Sequence, residues 1–493
     1  MNFKDLLNIH GRLDWRQLDP SSEVEGVVFD SREVAPNTVY VAIRGTLADG
    51  HDFIIQAISA GAKAIVVEQS SKIPDNFQGA VLEVLDTRLS LQVMAQNFYA
   101  SPGEKMTSLA VTGTNGKTSC SYIIEYLLNS LGQNCGVIGT IDHHFGAKVW
   151  ASDLTTPDPM TLQKRLSDFL KNKAKAFVIE ASSHALKQAR IKQPFDVCLF
   201  TNLSRDHLDY HPNMEDYFDS KALLFGESML PENGPAFAVI NGDDLYGMEL
   251  EKRVVGRQVL TFGKSERNTF YFEIVSQNLD GCTFRLIGQG LRTEFQSPLV
   301  GEHNVYNVVG CLLSLYCLGY GFDEMKKSLP DFPGIPGRLQ KLRSKDGCFG
   351  VVDYAHTPDA LSQVLLGLKP FVTDRHKLIT VFGCGGDRDQ GKRPEMAKAA
   401  IQGSDIVIVT SDNPRTEDPN QILDQILRGF ATSDHLLREE DRREAILKAC
   451  DLANSGDVVL IAGKGHEDYQ IIGNEKLDFS DIEVLKEGFA KRT

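Results

Sequence analysis

The chain has 493 residues, 42% of them hydrophobic and 24% charged, an ordinary balance for a soluble protein of about three domains. A net charge of -14 argues against a bulk electrostatic grip on nucleic acid or an anionic membrane, though a local basic pocket for phosphates can oppose the global field. The nine cysteines include no C-x-x-C pair and read as small buried hydrophobes in a reducing compartment.

The opening residues, MNFKDLLNIHGRLDW, lack the long apolar core of a signal peptide. The most apolar stretch, 305–320, is interrupted by Asn307 and is too short to span a bilayer. The expectation is a cytoplasmic monomer with no membrane insertion. In chain order, the β-rich runs VEGVVFD, TVYVAIRG, AKAIVVE and AVLEVLD, with the amphipathic FIIQAISAG between two of them, predict a small α/β domain. Next come SLAVTGT, CGVIGT, AFVIEAS, DVCLFTN and AFAVING, alternating with helical patterns as in a doubly wound sheet, and then strand-like pieces near 258–290. Two Pro/Gly punctuations, at 101–103 and in DFPGIPGR (331–338), read as linkers. They divide the chain into 1–104, 105–336 and 337–493.

In the last segment GVVDYAH, LITVFGCGG, DIVIVTSDN and DVVLIAGKG each run into a loop rich in Gly, Asp, Asn, His or Arg. Ligands of parallel α/β sheets bind outside the carboxyl ends of the strands, so these four loops are expected to converge on one site.

SLAVTGTNGKTS places a strand, a glycine turn and a helix starting near Ser119. Backbone N–H groups of Gly113, Thr114, Asn115 and Gly116 would face phosphates. Lys117 would neutralise the β/γ oxygens, and the Thr118 hydroxyl would hold Mg²⁺. Val111 stands where the full phosphate-loop pattern has a further Gly, so the loop is a shortened variant. The competing interpretation is a Gly-rich turn with an exposed lysine.

TGTNGKTS, EASSH (180–184), NLSRDHLDYH (202–211), GEHNVYN (301–307), GR (337–338) and DYAHTPDAL (353–361) occur in one order. Together they resemble the Mur ligase family, the ATP-dependent amino-acid-adding enzymes of peptidoglycan synthesis. FDSR (29–32), TTPDP (155–159), FGCGGDRD (382–389), DNPR (412–415) and AGKGHEDYQ (462–470) narrow the resemblance to members that add the third residue of the stem peptide. The resemblance covers the whole chain. It implies a UDP-substrate domain, a central P-loop ATPase-like domain and a C-terminal Rossmann-like, amino-acid-binding domain.

The implied reaction joins meso-2,6-diaminopimelate to a UDP-linked muramoyl dipeptide, with ATP activating the carboxylate as an acyl phosphate. By resemblance Glu180 and His207 bind magnesium, two ions in all, with Lys221 carbamylated to complete the set. Ser119, Asn304, Asn307, Arg338 and Asp353 serve the nucleotide, Arg338 from a hinge-like linker that could bring its charge in as domains close. Phe29, Ser31, Thr46, Leu47 and Ala48 match contacts to the nucleotide sugar. Thr155, Thr156, Ser182, Gln188 and Arg190 match those to the muramoyl peptide, although Leu154 stands where the related pattern often has Asn. Arg388, Asp412, Asn413, Pro414, Arg415, Gly463 and Glu467 match the diaminopimelate site, with Arg415 offering a guanidinium fork to the distal carboxylate.

On the residues alone, Glu180 could be a helix cap or surface acid, Asn307 a helix-surface amide and Arg415 a turn residue. His207 could be structural and Lys221 an ordinary helical lysine. Rival functions are the same ligation with L-lysine, folylpolyglutamate synthase, and a P-loop regulatory nucleotide-binding protein that is no enzyme.

Overall fold

The computed structural model describes every residue except Thr46, Leu47, Asp153, Asp209, Asp374, 431–434 and Thr493. Among the described residues three large sheets follow one another along the chain, with a two-stranded ribbon, Tyr469–Ile472 and Glu475–Asp478, near its end. The first has four parallel strands, Gly26–Val28, Thr38–Val41, Ala64–Val67 and Ala80–Glu83, with Arg12–Asp14 antiparallel at one edge. Thr38–Val41 and Ala64–Val67 are buried throughout, as near-continuous apolar runs in a parallel sheet must be.

The second sheet has eleven strands. Its centre is Thr107–Thr112, paired in parallel with Ala176–Glu180 on one side and Val197–Phe200 on the other. The strand-like pieces expected near 258–290 are Gln258–Gly263, Phe270–Asn278, Gly281–Gly288 and Leu291–Ser297, the last three an antiparallel meander. A hairpin, Asp142–Phe145 with Lys148–Ala151, extends the opposite edge and was not anticipated from the sequence. Helix Glu302–Cys317 packs against the same face as helix Lys117–Ser130, with apolar residues nearly all round it.

In the third sheet Phe349–Asp353, Val458–Ala462, Leu378–Phe382 and Ile406–Val409 run parallel in that spatial order. Their four polar loops therefore emerge on one side. Apolar clusters cover both faces of each sheet. The second and third sheets are tied together by Lys341, whose Nζ donates to the carbonyls of Leu279 (3.1 Å), Asp280 (2.9 Å) and Pro298 (2.7 Å). Among the described residues, no helix is long and apolar enough to cross a membrane.

The edge hairpin carries its own charge network. His144 Nδ1 lies 2.5 Å from Asp142 Oδ1, and Nε2 lies 3.0 Å from Glu125 Oε2. Burial disfavours the charged ring, but the hydrogen bonds to Asp142 and Glu125 outweigh it and raise the pKa from 6.5 to about 9. A folded-state pKa above the unfolded one stabilises the fold fully below about pH 6.5, and the gain is lost as pH rises through about 9. The stability difference between wild type and His144→Gln should thus shrink by on the order of 3 kcal/mol between pH 6 and 10 in chemical denaturation. A pH-independent difference would contradict the ionised network.

Candidate active site

Strand order reverses at Thr107–Thr112, and residues 113–116 turn out at this switch point. Helix Lys117–Ser130 begins two residues before the position suggested by the sequence. Gly116 has φ of 89°, and a Cβ there would stand 2.4 Å from Asn307 Oδ1, so only glycine fits. Lys117 Nζ donates to the carbonyls of Gly113 (2.9 Å) and Thr114 (2.8 Å), which curls its charge over the loop. Burial lowers the Lys117 pKa, while the charges of Glu180 and Asp206 oppose that shift.

Glu180 ends strand Ala176–Glu180 and is fully buried. Such a carboxylate needs partners. Its oxygens accept from Thr118 Oγ1 (3.0 Å), Thr140 Oγ1 (2.8 Å) and the Thr140 N–H (3.0 Å). One carboxylate and two hydroxyls beside a phosphate loop are hard oxygen donors, the set that Mg²⁺ accepts. The alternatives of a surface acid or a helix cap do not hold, since Glu180 is inaccessible and Ser182 caps the following helix.

Lys221 lies on helix Met214–Ala222, buried, with Nζ donating to Gly113 O at 2.8 Å and 4.6 Å from the Tyr217 ring. Burial pushes its pKa well down, and the charge of Lys117 adds to the effect. It is therefore no ordinary solvated helical lysine. His207 has φ of 54°, a left-handed conformation that costs an L-residue about 1–2 kcal/mol. Its ring stands edge-on to those of His184 and Tyr217, with centroids at 5.1 and 5.9 Å. Among the described residues, no group of three or more His, Cys, Asp or Glu is placed to hold a metal ion. An unmodified carboxylate does stand beside the ring, with His207 Nε2 3.5 Å from Asp206 Oδ2.

A cavity of about 580 Å³ runs from the phosphate loop to the third sheet. It is lined by 114–119, Thr155, Glu180, His207, Asn304, Asn307, Arg338 and Asp353. Asn304 and Asn307 touch each other, Nδ2 of Asn307 donating to Oδ1 of Asn304 at 3.2 Å. Arg338 stacks on Tyr354 with its carbon 4.6 Å from the ring centroid, and its buried Nε has no hydrogen-bond partner among the described residues. That spare donor suits a phosphate. Asp353 accepts from the N–H groups of Leu339 (2.7 Å) and Ala355 (2.8 Å), and burial raises its pKa. The lining also includes Thr140, Ser204 and Asp359, which the sequence did not single out. Asp359 Oδ2 accepts from Ser204 Oγ (3.1 Å) and Asn115 Nδ2 (3.4 Å), bridging the second and third sheets across the cavity mouth.

From Glu180 a chain of polar contacts leads away from the cavity. Thr140 Oγ1, whose proton goes to Glu180, lies 3.1 Å from Thr155 Oγ1, and Thr156 Oγ1 donates to Glu180 O (2.6 Å) and lies 3.2 Å from Ser182 Oγ. Arg190 donates to Thr156 O (3.1 Å) and Gln188 Oε1, and Gln188 Nε2 donates to Tyr210 Oη (3.1 Å). The five residues expected at the muramoyl peptide are thus one connected network. Phe29, Ser31 and Ala48 lie in the region of the first sheet and do not line the cavity. Ser31 Oγ donates to Gln56 Oε1 at 3.1 Å. Thr46 and Leu47 lie outside the described residues.

Three of the four loops of the third sheet, those after Leu378–Phe382, Ile406–Val409 and Val458–Ala462, meet at a second centre, while the loop after Phe349–Asp353 lines the cavity. Asn413 Nδ2 donates to Glu467 Oε2 (2.9 Å), and Lys464 Nζ donates to the same oxygen (2.8 Å) and to Asn413 Oδ1 (3.1 Å). A Cβ on Gly463 would lie 2.8 Å from Asp412 Oδ2. Arg415, with φ of 51°, donates from Nη1 to Gly386 O at 2.7 Å, and its backbone N–H donates to Ile471 O at 3.1 Å. Pro414 O crowds Gly386 from the other side. Arg388 is exposed at the rim. The fully buried Arg442 braces this centre from behind, paired with Asp481 and donating to the carbonyls of Ser411 (3.2 Å) and Ala462 (3.0 Å).

A phosphate loop facing a buried carboxylate, with an acid-and-guanidinium centre across the cleft, defines a nucleotide-using α/β enzyme. Family models describe residues 23–99 as "Mur ligase family, catalytic domain", 111–315 as "Mur ligase middle domain" and 337–465 as "Mur ligase, glutamate ligase domain". The UDP-N-acetylmuramoyl-L-alanyl-D-glutamate–2,6-diaminopimelate ligase of Aquifex aeolicus is 43% identical over 469 residues, 94% of this chain and 93% of that protein. The relative of the same name from Gloeobacter violaceus is 40% identical over 496 residues, 100% of this chain and 99% of that one. A solved structure of a ligase so named has a TM-score of 0.71 and 35% identity, covering 99% of both chains. The chain belongs to the Mur ligase family.

Lys117→Ala should leave the fold intact and weaken nucleotide binding at least tenfold in calorimetric titration. Unchanged affinity would mean that the loop does not hold phosphates.

Proposed function

We propose that the protein joins meso-2,6-diaminopimelate to UDP-N-acetylmuramoyl-L-alanyl-D-glutamate, with cleavage of ATP to ADP and phosphate. The observation that carries the reading is one cavity in which the phosphate loop and Glu180 of the second sheet meet Arg338 and Asp353. A nucleotide held there would be gripped by both domains, beside the polar network at Thr155–Arg190. We assign the three segments 1–104, 105–336 and 337–493 to the UDP substrate, to ATP and catalysis, and to the amino acid. The expected setting is the cytoplasm, and the expected working unit is the monomer.

An oxygen of the D-glutamate γ-carboxylate attacks the γ-phosphorus, and ADP leaves. The neutral amine then attacks the acyl-phosphate carbon, phosphate departs from the tetrahedral intermediate as the C–O bond breaks, and the nitrogen gives up one proton to the departing phosphate or to water. Charge crowding is the main obstacle, so cations and positioning serve better than a covalent nucleophile. Lys117 and Arg338 supply cations, and the N–H groups of 113–118 orient the phosphates. Magnesium held by Thr118 and Glu180, with a second ion at His207 and a carbamylated Lys221, would neutralise the phosphate oxygens. The Lys221 amine, pushed towards its neutral form by burial and by the charge of Lys117, is suited to capture CO₂ with loss of a proton. Glu467 and Asn413 suit the ammonium end of the amino acid, and Arg388 and Arg415 its carboxylates.

Phosphate release should require the UDP-dipeptide, ATP and diaminopimelate together, one phosphate per product. With diaminopimelate replaced by L-lysine the rate should fall at least a hundredfold, and Arg415→Ala should erase most of that difference. Equal use of lysine by the wild type would assign the chain to the lysine-adding reaction instead; no phosphate with either amine would make it a nucleotide-binding regulator. Lys221→Ala should be inactive and partly rescued by a short carboxylic acid. Full activity without rescue would exclude the carbamate.

A further inference from the structure

Arg393 has no place in the reaction as described, yet it is a fully buried charged side chain. It is the second residue of helix Lys392–Gly403, where the helix dipole disfavours a cation. Its position must be set by something else. Nη2 donates to Gly385 O (3.0 Å) and to Glu417 Oε1 (2.9 Å), while Nη1 donates to Glu417 Oε2 (2.8 Å) and Gln425 Oε1 (2.6 Å). The guanidinium thus joins the loop after Leu378–Phe382 to the loop after Ile406–Val409.

Glu417 carries the tie further. Its Oε1 also accepts from the Asp387 N–H at 2.6 Å. The Arg393 hydrogen bonds hold the Glu417 carboxyl below its ordinary range, so it stays ionised. The two loops are also sewn directly: Gly386 N–H donates to Asn413 O (2.9 Å) and Thr416 Oγ1 donates to Asp387 Oδ1 (2.9 Å). One loop presents Arg388 and the other Arg415. Both lean over the same point, since a Cβ built on Gly385 would lie 2.9 Å from Arg415 Nη1 and 3.7 Å from Arg388 Cγ. Without a cation behind them, the Gly385 carbonyl and the Glu417 carboxylate would repel each other, and the loops would drift apart at that point.

We propose that Arg393, through Glu417, is the positioning residue that sets the spacing of Arg388 and Arg415 and with it the preference for an amine bearing a second carboxylate. This rests on the functional reading above and goes further, because it places selectivity in an ion pair whose guanidinium is fully buried behind the loops. A bidentate carboxylate contact is lost with shifts of about an ångström, whereas Glu467, the charged partner of the ammonium, stands on the loop after Val458–Ala462, outside the Arg393–Glu417 tie.

The test compares wild type, Arg393→Lys and Glu417→Gln by kcat/KM for diaminopimelate and for L-lysine, with KM for ATP as the internal control. The expected result is at least a tenfold fall for diaminopimelate, less than threefold for lysine, and an ATP KM within twofold of wild type. A diaminopimelate-to-lysine ratio within twofold of wild type, or equal losses for every substrate, overturns the proposal. Circular dichroism establishes that each variant is folded. Should Arg393→Lys fail to fold, Glu417→Gln decides alone, since Glu417 is partly solvent-exposed. A wild type without preference for diaminopimelate would overturn the functional reading itself, an outcome distinct from a preference that the variants leave unmoved.

Discussion

A carboxylate without access to water sits at the centre of this molecule, and the surrounding structure is arranged to make that tolerable. Glu180 is fully buried at the end of a parallel strand, where an ion in a low-dielectric setting is costly unless donors converge on it. Two threonine hydroxyls and one backbone N–H do so. They come from the helix after the phosphate loop and from the turn after Cys135–Ile138, which are brought to Glu180 by the pairing of their strands. Parallel pairing puts every such turn at the same end of the sheet. Polar chemistry collects there because the strand bodies are apolar on both faces.

The third sheet repeats the solution with the opposite sign of charge. Arg393 and Arg442 are buried behind its loops, each answered by a carboxylate and by main-chain carbonyls. Breaking such a pair typically costs about 3–5 kcal/mol, so each ties distant loops more firmly than surface ion pairs do, at about 0–1 kcal/mol. The half-buried fork of Arg415 gains its definition from this rigid backing and from a left-handed backbone that an arginine does not adopt by preference.

The sequence carried the parts of this design that are contiguous. TGTNGKTS holds the turn, the cation and the hydroxyl in one stretch, and the unbroken apolar runs announce parallel strands. The four loops of the last segment were legible for the same reason, since each follows such a run. Thr140, Ser204 and Asp359 were not, because their roles exist only once separate strands are side by side. Arg393, in GKRPEM, reads as an ordinary arginine on a helix surface; nothing near it in sequence announces Glu417 or Gly385. The hairpin at 142–151 escaped notice because strands of four residues give alternation too little length to be distinctive.

Lys341 fastens three carbonyls of the second sheet at one border of the cleft, while at the opposite lip the described contacts of Asp359 with Asn115 and Ser204 are solvent-exposed. Helix Pro358–Leu368, which carries Asp359, also packs against helix Glu302–Cys317, and Val300 and Leu279 enter the apolar cluster of the third sheet. The cleft is thus held by packed side chains along its length, and water competes for the bonds only at Asp359, where a ligand crossing the border would displace the least.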